Sequence, residues 1–163
     1  RLSVFRPQES VEALRRLGLP LHSLKWIRGG FCDNDLAARE QLLSPFIARY
    51  LQPGDVVFTT WRNDGNADHD AVGRATAIAC ALTGARLLEL PIWAWHRPAR
   101  EAGRMPWQCA RKVRLDTWSV ARKRHAAHAY ASQLLGDPLI GLAPMLPPVL
   151  LERMREPYEI VFL

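Results

Sequence analysis

The chain has 163 residues, of which 48% are hydrophobic and 23% are charged. This length and balance are typical of one soluble, globular domain with a sizeable hydrophobic core. No apolar run approaches the roughly 20 residues that a membrane helix needs, and the first residues lack the apolar core of a signal peptide. We therefore expect neither a membrane partner nor secretion.

Three widely spaced cysteines, Cys32, Cys80 and Cys109, form no Cys-x-x-Cys pair. Their odd number and spacing argue against a disulfide framework and against a structural zinc knuckle. This cysteine usage is typical of the reducing cytoplasm. We therefore expect the protein to be cytoplasmic.

The formal net charge is +6, and much of the excess lies between Arg97 and Arg124. Such a segment could bind phosphate, either on a nucleic acid or on an anionic small molecule. The alternative is a solvated, arginine-rich loop and helix face. We favour this alternative because no nucleic-acid-binding motif accompanies the charge, and nucleic acid is therefore a disfavoured partner.

Hydrophobic periodicity and the positions of Gly and Pro divide the chain into alternating helices and strands. This alternation predicts one α/β domain over residues 1–163, with a mainly parallel sheet. Asp35 is the expected N-cap of the second helix. In chain order, the predicted elements are a helix over 8–17, a strand over 21–27, a helix over 35–51, a strand over 55–60, a helix over 69–83, a strand over 86–93, an irregular loop over 94–116, a helix over 117–135, a Pro-rich turn region over 138–148, a helix over 149–154 and a strand over 158–163.

The segment 61–75 lies between a predicted strand and a predicted helix and carries an acidic cluster beside His69. Ligands in open α/β sheets bind at this end of the strands. His69 could ligate a metal through one ring nitrogen while a carboxylate orients the other. The competing interpretation is that Asp64, Asp68 and Asp70 serve to cap the helix and that His69 has no special role.

Three other histidines are also candidates for a functional role. His125 and His128 share one face of a predicted helix, but no third metal ligand is evident near them, so packing is the favoured interpretation. His96 follows the 86–93 strand, where it is either a residue at a pocket mouth or an ordinary loop residue.

The segment 61–75 resembles the second motif of the LmbE/PIG-L family of zinc-dependent N-deacetylases, Asp-Gly-His-Pro-Asp-His-x-Ala-x-Gly-Arg-Ala. Two further segments are similar to family patterns and occur in family order. Arg6-Pro-Gln-Glu9 opens a helix that ends at Leu17-Gly18, and the run from Lys123 to Gln133 is similar to Lys-x-x-Ala-Leu-x-x-Tyr/His-x-Ser-Gln. The residues that match the second motif are Asp64, Gly65, Asp68, His69, Ala71, Gly73 and Arg74.

This resemblance implies a Rossmann-like, three-layer α/β/α fold with a mainly parallel sheet, and one zinc ion as cofactor. The implied activity is that of an amidohydrolase that removes an acetyl group from an N-acetylated amino sugar or glycoconjugate. His69 is then the metal ligand, and Asn66 and Asp68 are the catalytic candidates. Arg6 is implied to lie near the substrate, and His96 is a further substrate-binding candidate from its position alone. A homo-oligomer is compatible with the sequence.

Two departures from the family pattern shape these expectations. The family takes its other zinc ligands and its general base from a His-Pro-Asp-Asp segment, which this chain lacks upstream of Arg6. Because residue 1 is not Met, we expect the chain to be part of a longer protein. Asn66 stands where the family has a histidine, and it cannot act as a general acid near neutral pH. The alternative function is therefore a ligand-binding domain of this fold without catalysis.

Overall fold

The structure is a computed structural model that describes residues 2–96, 105–135, 144–146 and 148–163. The chain divides into two units. The first unit comprises Arg1–Ile27 and Arg114–Glu159, and the second comprises Arg28–Val113 and Ile160–Leu163. In the described part of the chain, no helix combines the length and hydropathy needed to span a bilayer.

Four strands form one sheet: β1 (Val56–Thr60), β2 (Arg86–Leu90), β3 (Ala110–Arg114) and β4 (Tyr158–Phe162). Their spatial order is β1-β2-β4-β3. β1 and β2 run parallel, whereas β4 pairs antiparallel with β2. The fold is therefore α/β as predicted, but the sheet is mixed rather than mainly parallel. The C-terminal strand enters beside β2 in the reverse direction, which the alternation of elements does not reveal.

Helix α3 (Ala67–Thr83) contacts both β1 and β2. Ala71 and Ala75 are at most 1% exposed and pack in one cluster with Leu43. The helix begins after Asn66, which caps it, and ends at Gly84, whose φ of 76° is the left-handed conformation that favours glycine. The prediction of a helix over 69–83 is confirmed, and so is the strand preceding it.

Helix α2 (Glu40–Ala48) packs on α3 and is shorter than the predicted helix over 35–51. A 3₁₀ turn over Ala37–Arg39 precedes it. The expectation that Asp35 caps this helix is wrong, because its carboxylate pairs with the Arg39 guanidinium at 2.5 Å. A carboxylate four residues before an arginine readily forms this pair on a helical turn.

The first unit is helical. It contains α1 (Leu2–Arg16), α4 (Thr117–Ala127), α5 (Ala131–Leu134) and α6 (Pro148–Arg153). The predicted helix over 117–135 is interrupted after α4, so α4 and α5 are separate. Helix α1 contacts both of them. The Glu9 carboxylate on α1 accepts hydrogen bonds from the backbone N–H and the hydroxyl of Ser132, at 2.7 and 2.6 Å. This contact joins the Arg6-Pro-Gln-Glu9 segment to the run from Lys123 to Gln133, the two further segments that are similar to family patterns.

Two other predictions are corrected. The predicted strand over 21–27 is wrong, because a 3₁₀ turn over Leu21–Ser23 leads into exposed chain that pairs with no strand. The predicted loop over 94–116 contains β3, and residues 97–104 lie outside the described ranges. Most of the predicted turn region over 138–148 also lies outside them. β3 forms an edge of the sheet with exposed basic residues, a feature that discourages pairing with other chains.

Gly73 lets α3 approach the end of β1, and this close approach can be tested. A Cβ at position 73 would lie 2.6 Å from the Thr60 carbonyl oxygen and 2.7 Å from the Arg62 nitrogen. We expect Gly73→Ala to lower the free energy of unfolding by about 2–3 kcal/mol, because backbone atoms must move to admit the methyl group.

Urea unfolding checks this value, with the exposed Ala81→Gly as a measure of plain helix propensity, which is worth about 1 kcal/mol. Helix propensity alone predicts that Gly73→Ala raises the free energy of unfolding. A more stable Gly73→Ala variant would therefore contradict the proposed close contact.

Candidate functional site

A fully buried carboxylate, that of Asp64, lies at the centre of the candidate site. It accepts hydrogen bonds from the backbone N–H groups of Ile92, Trp93 and Ala94, at 2.8, 2.6 and 2.9 Å. It also accepts one from the Nδ1 atom of His69, at 2.6 Å. The carboxylate thus connects the loop after β1 and the first turn of α3 to the chain that follows β2.

Local sequence explains how His69 reaches this carboxylate. Gly65 has a φ of 89°, which lets the chain reverse direction directly after Asp64. The Asn66 side-chain oxygen then accepts hydrogen bonds from the N–H groups of Asp68 and His69, at 3.0 and 3.2 Å, and so caps α3. The Thr60 hydroxyl donates to the His69 carbonyl oxygen at 2.8 Å. The backbone that carries the His69 ring is therefore held in place by hydrogen bonds.

The contact with Asp64 determines which ring nitrogen of His69 is available. A carboxylate can only accept a hydrogen bond, so Nδ1 carries the hydrogen in this contact. In the neutral ring, Nε2 is then left with its lone pair. The His69 side chain is 29% exposed. This arrangement leaves Nε2 of a partly exposed side chain as a ligand or base.

The pKa of Asp64 lies below its ordinary value. Burial alone would raise the pKa, but the hydrogen bond from His69 and those from the three backbone N–H groups together outweigh burial. Each of these bonds favours the charged form of the carboxylate. Asp64 is therefore ionised at neutral pH and does not serve as a proton donor there.

The two predicted catalytic residues hold the start of α3 in place. Asn66 uses its side-chain oxygen for the cap, which leaves its NH₂ group as a donor. The Asp68 carboxylate accepts the N–H of Asn34 at 2.7 Å and the N–H of Ala37 at 3.2 Å. Asp68 thus fixes the chain ahead of α2, and the partner of His69 is Asp64 instead.

His96 ends a 3₁₀ turn over Trp93–His96, and the N–H groups of Trp93 and Ala94 in this turn are bound to Asp64. Its ring lies against that of Trp93, with centroids 4.1 Å apart. His96 Nδ1 donates to the Trp93 carbonyl oxygen at 3.1 Å. Its Nε2 atom is buried and has no hydrogen-bond partner among the described residues.

The remaining candidates lie in the first unit. Arg6 is on α1, where its carbonyl oxygen accepts the Ser10 hydroxyl at 2.9 Å. His125 is exposed, and His128 Nδ1 donates to the Arg124 carbonyl oxygen at 2.7 Å.

The donor chemistry of His69 fits one ligand position of a zinc ion. Metal-binding histidines usually donate their other ring nitrogen to a carboxylate or carbonyl group, as Nδ1 does here. A catalytic zinc ion usually has three protein ligands. Within the ranges that the structure describes, no three His, Cys, Asp or Glu side chains form such a group. The described residues therefore do not by themselves supply the three ligands of a catalytic zinc ion.

Sequence reasoning placed Asp64 in an acidic cluster and missed its role. The signal available was its position, in the short loop after β1 and directly before a glycine. The contact with residues 92–94 depends on the chain after β2, which the local pattern does not specify.

The lowered pKa of Asp64 predicts how stability changes with pH. The folded pKa is below the unfolded value of about 4, so the stabilising effect is complete above about pH 4. It is lost as the pH falls through the folded pKa. We expect Asp64→Asn to cost about 3 kcal/mol at pH 7, because it removes a buried, paired charge. The variant should also lose stability less steeply below pH 4, by up to about 1.4 kcal/mol per pH unit.

Urea unfolding between pH 7 and pH 2 checks both effects. Parallel curves of stability against pH for the wild type and Asp64→Asn would show that the Asp64 carboxylate does not contribute in this way.

Comparison of this chain with models of protein families, with curated proteins and with solved structures finds no match. The likeness to LmbE/PIG-L therefore stays a resemblance of short motifs. A functional proposal must rest on those motifs and on the geometry around His69.

Proposed function

We propose that this chain carries part of the active site of a zinc-dependent amidohydrolase with a Rossmann-like fold. The proposed reaction removes an acetyl group from an N-acetylated amino sugar or glycoconjugate. The single observation that carries the proposal is the hydrogen bond between His69 Nδ1 and the buried Asp64 carboxylate, at 2.6 Å. The motif resemblance supplies the substrate class.

His69 would hold the zinc ion through Nε2. Zinc, when bound, lowers the pKa of a coordinated water molecule and polarises an amide carbonyl group. Asp64 makes the ring a better ligand, because a negative partner on Nδ1 raises the basicity of Nε2. The α3 cap holds the backbone N–H of His69 and Asp64 holds its ring Nδ1, so little ordering is needed when the ion binds.

The residues around His69 would position the substrate rather than transfer protons. The NH₂ group of Asn66 lies at the start of α3 and can donate to a carbonyl oxygen, but it has no proton to give a leaving amine. Asp68 has both oxygens engaged by backbone N–H groups. We therefore assign Asn66 to orienting the amide and Asp68 to fixing the loop beside it.

The proposed substrate-binding residues are the two that the sequence analysis predicts, Arg6 and His96. Arg6 is proposed from the family pattern. His96 is proposed because its ring is stacked on Trp93 and its Nε2 atom is an acceptor without a partner in the described part of the chain. An aromatic ring beside a hydrogen-bond acceptor suits a sugar, which presents both C–H faces and hydroxyl groups.

Zinc binding tests the proposal directly. A single histidine does not keep zinc through desalting, because a stable site usually needs three protein ligands. The chain is therefore titrated with zinc, and binding is followed at equilibrium by the NMR chemical shifts of the histidine rings. We expect the wild-type chain to bind zinc weakly at His69. We expect His69→Gln to weaken zinc binding by more than about 100-fold, because even the outer partners of such a histidine contribute 10–100-fold. The exposed His125→Gln is the matched control and should keep its zinc.

Binding of N-acetylglucosamine provides the second readout, because the residues around His69 would position the substrate. Binding should strengthen when zinc is present and should lose that zinc dependence in His69→Gln. A folded wild-type chain that binds no zinc, or a His69→Gln variant that keeps it, would contradict the proposal. In that case the ligand-binding domain without catalysis becomes the better account.

A further inference from the structure

We infer that Asp64 is the positioning residue for both halves of the site, holding His69 on one side and the turn with Trp93 and His96 on the other. The inference rests on the proposed function only for the identity of the zinc ion. The shared carboxylate itself is a property of the fold.

The hydrogen bonds to the two oxygens of the Asp64 carboxylate couple the two halves of the site. Oδ2 accepts both His69 Nδ1 and the Trp93 N–H, each at 2.6 Å. Oδ1 accepts the N–H groups of Ile92 and Ala94. One rigid, planar group therefore fixes the direction of the His69 ring and the start of the turn that ends at His96. Neither half can shift without breaking a bond to the same carboxylate.

Because the Asp64 carboxylate is buried, its charge must be stabilised by hydrogen-bond donors of the protein. Asp64 is 0% exposed, so solvent contributes nothing to stabilising its charge. A buried carboxylate is costly unless hydrogen-bond donors replace its hydration. The protonated Nδ1 atom of His69 is one of these donors. Asp64 therefore selects the Nδ1–H form of the neutral ring, which is the minor form of free histidine in water.

The other acids near His69 are engaged elsewhere and cannot take this role in the observed arrangement. Asp68 binds the N–H groups of Asn34 and Ala37. Asp70 accepts the Gly65 N–H at 3.0 Å. Glu89 on β2 forms a two-bond pair with Arg62. The matched control is Asp55, an exposed acid outside the site whose carboxylate accepts the Gln52 N–H at 2.8 Å.

The first test uses the wild-type chain without metal. Long-range ¹H–¹⁵N correlation spectra above pH 8 report which nitrogen of a neutral histidine carries the hydrogen, and the spectrum of His69→Gln assigns the His69 signals. We expect the Nδ1–H form at His69. Predominance of the Nε2–H form, as in free histidine, would overturn the inference.

The second test compares Asp64→Asn with Asp55→Asn. We expect Asp64→Asn to weaken zinc binding by about 10–100-fold and to shift His69 toward the Nε2–H form. Hydrogen exchange at the N–H groups of Ile92, Trp93 and Ala94 should accelerate by about 10-fold or more. Asp55→Asn should change none of these three readouts. Equal effects from the two substitutions would overturn the inference.

These readouts separate the two proposals. If the wild type binds no zinc but His69 shows the Nδ1–H form, the proposed reaction fails and the positioning role of Asp64 stands. If zinc binds and the Nε2–H form predominates, the positioning role fails alone. Should Asp64→Asn not fold, the wild-type spectrum still decides the inference.

Discussion

A carboxylate that is closed off from water is stable in a protein only when hydrogen-bond donors replace its hydration. Asp64 meets this condition with three backbone N–H groups and one histidine ring. These donors come from segments separated by more than twenty residues, so the charge brings together the loop after β1 and the chain after β2. The position of His69 and the turn up to His96 both follow from this requirement.

Much of the family-like motif can be explained by the needs of the fold. Gly65 allows the reversal after Asp64, and Gly73 allows α3 to approach β1. Ala71 is fully buried, and Arg74 forms a two-bond pair with Glu40 on α2. Residues with such roles would be kept by a binding domain as well as by an enzyme. Nε2 of His69 and the NH₂ group of Asn66 take no part in these contacts among the described residues.

The sequence predicts the central elements well because their signals are local. β1, α3 and the Gly84 cap follow from an apolar run, small residues at helical spacing and a terminal glycine. The sequence fails where partners are distant. The chain over 21–27 has the composition of a strand but joins none of the described strands, and β3 carries mostly charged residues that do not look like a strand. The role of Asp64 is missed for the same reason, since its N–H partners lie 28–30 residues away.

The central claim is that the buried Asp64 carboxylate fixes the His69 ring so that Nε2 can bind a metal ion. Anomalous X-ray scattering at the zinc absorption edge, from crystals of the zinc-equilibrated chain, tests this claim most directly. The account predicts a zinc peak about 2.0–2.1 Å from His69 Nε2, with Nδ1 still bound to Asp64. A peak at another site, or a His69 ring turned away from Asp64, would contradict it.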